Sequence, residues 1–135
     1  MAIIEWKSSL SLGIEKIDEE HRRMIETIRE FNAAIEAGKA ANVLEELLEN
    51  LFNYAQIHFA TEEGLLRRSH CAELKRQEAQ HEDYLLKVYE FREKLRAGRL
   101  NLYQELVEFL ANWWTNHIEV EDKNYVEFVK RSGLG

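Results

Sequence analysis

His58 and Glu62 stand four residues apart on a seam whose other in-register members are Leu44, Leu48, Leu51 and Ala55. The alternating steps of 4 and 3 are those of a helix that buries one stripe. Burying an unpaired imidazole and an unpaired carboxylate on such a stripe costs several kcal/mol each unless something binds them. A metal ion is the usual remedy, and helical i, i+4 spacing lets the two side chains share one. The same mismatch recurs elsewhere. His21, Gln77, His81 and His117 each interrupt an otherwise apolar seam, and Asp122 follows His117 by five residues.

The elements that must position these residues are four long helices. The first runs over about 18–37, with Asp18 as its expected N-cap and a seam of His21, Met24, Ile28, Phe31 and Ile35. The second spans about 40–67. The third, about 72–96, carries Leu74, Gln77, His81, Tyr84, Val88, Phe91 and Leu95 in register. The fourth, about 100–129, carries Leu102, Leu106, Leu110, Trp113 and His117, and Ser132 to Gly135 forms a tail. Residues 1–17 form an N-terminal arm that packs Trp6 against the body. The spacing predicts an all-α fold, an antiparallel up-down-up-down four-helix bundle occupying residues 1–135 as one domain.

That topology brings the interruptions together. His21 lies near the start of its helix, His58 and Glu62 near an end, Gln77 and His81 near a start, His117 near an end. In alternating helices these all meet in one layer. A lone histidine on an apolar face is more often a satisfied core histidine than a ligand, but four in one layer with two carboxylates argue jointly for metal. So many donors exceed one tetrahedral zinc and suit two five- or six-coordinate ions. Two divalent ions bring four positive charges, of which two carboxylates and a hydroxide remove three. Asp122 is the awkward member, because a five-residue step turns it about 140° from His117 on an ideal helix. Either a wide turn, as found at functional sites, or an approach from the flank must bring it in.

Composition narrows the classes. A formal charge of −7 argues against nucleic acid or an anionic membrane as partner. No apolar run approaches the roughly 18 residues of a membrane span, and no signal-peptide pattern opens the chain. Cys71 is the single cysteine, so no internal disulfide forms and a reducing cytoplasm is expected.

Trp6, Gly13-Ile14, Ile17-Asp18 and His21, then His58-Phe59 with Glu62-Glu63, then His81, then Trp113, His117-Ile118, Asp122 and Tyr125 together resemble the hemerythrin family in its bacterial form. These pieces cover almost the whole chain in the family's order. The resemblance implies two non-haem iron ions with a bridging oxo or hydroxo group, binding O2 end-on at one iron. It also implies Glu62 and Asp122 as bridges, His21 and His58 on one iron, and His81 and His117 on the other. Met24, Phe59, Trp113, Trp114 and Ile118 would line the O2 pocket. No residue is assigned a catalytic role.

Two departures follow. The family reads His-x-x-x-His on the third helix, whereas this chain has Gln77 four before His81. Gln77 either coordinates weakly through its amide oxygen, hydrogen-bonds a ligand water, or leaves an open position. His70 is the nearest spare imidazole, but its seven-residue distance amounts to about 10 Å of helical rise. Trp114 stands where the family usually has leucine, to fill the pocket, slow entry, or donate its indole N–H to a bound ligand. Glu63, Glu119 and Glu121 read as solvated charges. Three functions compete: an O2 carrier, store or sensor; a di-iron enzyme reacting with peroxide or NO at an open site; and a metal-binding bundle with O2 chemistry abolished. Nothing marks a protein partner.

Overall fold

The computed structural model describes residues 4–99 and 102–133. They are helical, with no strand among them: α1 is Glu15–Glu36, α2 Ala41–Arg68, α3 Leu74–Arg96, α4 Tyr103–Asn116 and α5 Lys123–Arg131. The first four pack in a ring, α1 on α2, α2 on α3, α3 on α4 and α4 on α1. This is the expected four-helix bundle. The expected start of the last helix at Leu100, and Leu134 and Gly135 of the tail, lie outside the described residues.

Three of the connections are the same device. After α1, Gly38 takes φ +69°, Gly38 N–H donates to Ile35 and Lys39 N–H to Ala34. After α3, Gly98 does the same toward Leu95, with Arg99 N–H to Lys94. These paired bonds satisfy carbonyls the helix end would otherwise strand. After α2 the left-handed position falls to His70, at φ +56°, with Cys71 N–H to Leu66 and His70 N–H to Arg67. His70 is therefore an exposed turn residue and does not replace the missing imidazole.

Two boundaries differ from expectation. α1 begins at Glu15, so Asp18 is inside its first turn and is not the N-cap. Its carboxylate reaches back over the arm instead, accepting from Leu12 N–H at 2.8 Å and Ser11 Oγ at 2.6 Å. The arm is thereby tied to the helix it precedes. A 3-10 turn at Ser8–Leu10 interrupts it, Leu10 is buried, and Trp6 packs against the core with the Arg22 guanidinium 4.7 Å from its ring. The expected fourth helix is also three pieces, because His117–Glu121 forms a π-helical turn between α4 and α5. Asp122 N–H donates to His117 C=O at 2.8 Å, the i to i+5 bond of a widened turn.

Candidate metal centre

The widened turn swings Asp122 round to the face that His117 occupies. Both are buried, as are His21, His58, Glu62, Gln77 and His81. One ligand-type atom from each of His21, His58, Glu62, His117 and Asp122 lies within 4.8 Å of every other. His81 joins through Glu62, its Nε2 2.8 Å from Oε1. Gln77 joins through Asp122, donating from Nε2 to Oδ1 at 3.0 Å. All seven polar seam residues thus share one layer.

A ring of hydrogen-bond partners orients them. Glu20 accepts the His58 Nδ1–H at 2.7 Å, leaving the Nε2 lone pair facing the layer, and is itself held by Thr61 Oγ1 at 3.0 Å. Glu63 sits 2.7 Å from His81 Nδ1. Tyr125 donates its hydroxyl to Glu62 Oε2 at 2.7 Å. Carboxylates behind imidazole ligands fix ring orientation and raise ligand basicity. Glu63 is therefore not the solvated charge expected, and neither is Glu121, which pairs with Arg76 at 2.9 Å; Glu119 is exposed. Glu20 is a further functional residue that the seam pattern does not include. Its signal was its place beside His21: a residue next to a seam position is rotated about 100° from it and meets the adjacent helix.

The layer contains seven of the nine buried side-chain nitrogen and oxygen atoms that lack a hydrogen-bond partner among the described residues. They are both ring nitrogens of His21 and of His117, His58 Nε2, Gln77 Oε1 and Asp122 Oδ2. His21 Nε2 and His117 Nε2 approach Asp122 Oδ2 to 3.1 and 3.2 Å but without hydrogen-bond geometry. Unsatisfied buried polar groups cost about 1–3 kcal/mol each, so this concentration asks for a binding partner. Three histidines and a carboxylate presenting free lone pairs suit a divalent transition metal.

Burial, reinforced by His58, holds His21 well below the ordinary imidazole value, and burial lowers His117 as well. Both shifts favour the neutral imidazole that ligation requires. The carboxylates are pushed apart. Burial raises Glu62, but the pull of His117, His81 and His58 outweighs it and holds the group well below its ordinary value. Burial and the Glu62 charge drive Asp122 well above. Two carboxylates this deep can both ionise only with cations beside them, which divalent ions supply.

Residues 12–129 match the hemerythrin HHE cation binding domain. The chain belongs to the hemerythrin family. A bacteriohemerythrin of Stenotrophomonas maltophilia is 35% identical over 133 residues, covering 96% of this chain and 84% of that relative. One from Pseudomonas aeruginosa is 33% identical over 132 residues, covering 98% and 85%. In structure, wild-type hemerythrin superposes with a TM-score of 0.84 at 21% identity, covering 95% of this chain and 98% of that one, which speaks to the fold.

The apolar wall of this hemerythrin domain is aromatic. Met24, Trp114 and Ile118 are fully buried, Phe59 nearly so, and Trp113 is partly buried. Phe59 stacks on His81 at 3.9 Å between centroids, and Trp113 on His117 at 4.7 Å. The Trp114 ring centroid is 5.4 Å from that of His117, 5.6 Å from His58 and 6.4 Å from His21. Its indole N–H is committed to the Tyr84 hydroxyl at 3.0 Å, so of its three expected roles donation to a bound ligand is not the one this geometry provides. The buried ring occupies volume instead.

Proposed function

We propose that this chain is a non-haem di-iron protein that binds O2 or another small diatomic ligand between its metal layer and its aromatic wall. The observation that carries the reading is the set of seven unpartnered buried polar atoms in one layer of a hemerythrin bundle. His21, His58, Glu62, His81, His117 and Asp122 would hold two ions. Bound ferrous iron would supply the reversible electron donation to a diatomic that no side chain of the protein can. The chain's own groups set the conditions. Glu20 and Glu63 orient His58 and His81, and Tyr125 fixes one oxygen of Glu62. Met24, Phe59, Trp114 and Ile118 exclude water, which strengthens every electrostatic contact inside. No described helix is long and apolar enough to cross a membrane. The single thiol, Cys71, is buried and free, which supports a reducing compartment.

Gln77 favours a second reading. With its Nε2 on Asp122 and its Oε1 unpartnered, it supplies no imidazole to the second ion. A position left open there would favour turnover of peroxide or NO over reversible binding. Anaerobic loading with Fe(II), metal quantification, and repeated admission and removal of O2 under visible spectroscopy separate the two. The first reading predicts a spectral change that reverses on each cycle. A single irreversible conversion favours the second, and an iron-loaded protein without any optical response to O2 contradicts both.

A further inference from the structure

We infer that the two metal positions of this layer are unequal, the one beside His21 and His58 binding its ion at least tenfold more tightly than the one beside Gln77 and His81. The inference rests on the dimetal reading above and concerns what each side can offer it. Both sides face the same two carboxylates, so the difference lies in the neutral donors.

On the tight side the ring centroids of His21 and His58 are 4.6 Å apart. His58 is pinned from behind by Glu20 at Nδ1 and presents Nε2 without a partner; His21 has neither ring nitrogen bonded. The one oxygen Asp122 has not spent, Oδ2, lies 3.1 Å from His21 Nε2 and 3.2 Å from His117 Nε2, so it serves both sides alike. Ion entry here displaces no hydrogen bond from an imidazole.

On the other side His81 has a carboxylate on each ring nitrogen, Glu63 at 2.7 Å and Glu62 at 2.8 Å. Its Nε2 becomes a ligand only when the Glu62 contact breaks. Gln77 contributes an amide where an imidazole would be the third donor, and its NH2 already holds Asp122 Oδ1. For Asp122 to share that oxygen with an ion, the Gln77 bond must lengthen or turn away. An amide carbonyl is also a poor substitute for imidazole toward iron, being the donor type suited to harder ions. His117 is the one unencumbered imidazole left there, its centroid 5.3 Å from that of His81. Gln77 is thus a positioning residue for Asp122 as well as a missing ligand.

Loss of an outer partner alone typically changes metal affinity by about 10–100-fold, and losing an inner imidazole should cost no less. The test is an anaerobic titration of the full chain with Fe(II), followed by calorimetry and by native mass spectrometry to count ions per chain. The expected result is two unequal binding steps, separated by at least about tenfold in affinity. Gln77→His should strengthen the second step by about tenfold or more while leaving the first within about twofold. Gln77→Glu, which brings a carboxylate to the same reach, should move the second step in the same direction and serves if the histidine variant does not fold. Two indistinguishable steps in the parent, or a second step unmoved by either folded variant, overturns the inequality and leaves the dimetal reading standing. No more than one ion bound even by Gln77→His overturns both.

Discussion

At the end of the bundle away from the metal layer, Phe31, Leu48, Leu51, Leu106 and Leu110 are buried to 1% exposure or less and carry no polar side-chain atom. In the layer itself His21, His58, Glu62, His117 and Asp122 are just as deeply buried, and six of their ten side-chain nitrogen and oxygen atoms have no hydrogen-bond partner. The two regions lie on the same helices and the same seams. One stabilises the fold by removing apolar surface from water; the other costs stability until an ion arrives. A bundle can carry such a layer because the apolar half makes the fold without it. Conflict between local chemistry and the surrounding core is what a functional site looks like in a sequence.

Metal loading should produce the largest separation of the two halves. At free Fe(II) about 100-fold above each dissociation constant, every filled site adds about 2.7 kcal/mol, or about 5 kcal/mol for two. Anaerobic thermal or denaturant unfolding with and without Fe(II) measures it, and a chelator should reverse it. Leu51→Ala belongs to the apolar half and should cost about 2–5 kcal/mol, equally in loaded and unloaded protein. A cost confined to the loaded form would break the comparison.

His21→Leu sharpens it from the other side. Replacing an imidazole with two unpartnered nitrogens by an apolar side chain should raise the stability of the metal-free protein by roughly 1–3 kcal/mol while abolishing much of the gain from Fe(II). A metal-free variant less stable than its parent would mean that His21 has a structural role the layer does not reveal. The smallest effect should come from Arg76→Ala. Its pair with Glu121 is half exposed on the arginine side, and its loss should cost less than about 1 kcal/mol with no change in the ions bound.

Much of this is legible in the sequence. Heptad spacing carries the bundle, and helix parity alone predicts that His21, His58, Glu62, Gln77, His81 and His117 share a layer. The five-residue step to Asp122 already demanded a wide turn or a flank approach, and the π-turn at His117–Glu121 is the answer. What stayed hidden lies off the seams. Glu20 and Glu63 flank seam residues in sequence, yet their partners His58 and His81 are on neighbouring helices, so the pairing depends on interhelical distance. Asp18 has the residue type of an N-cap, and its role was fixed by where the arm folds back. Trp114 could be read as a pocket residue, but its commitment to Tyr84 is a contact across helices that spacing does not encode.

The most direct test of the central claim is anomalous diffraction at the iron edge from crystals of the anaerobically Fe(II)-loaded protein. Anomalous density is expected inside the layer bounded by His21, His58, Glu62, His117 and Asp122, with any second, weaker peak toward His81 and Gln77. Iron bound only at surface carboxylates, with no density in that layer, would contradict the claim.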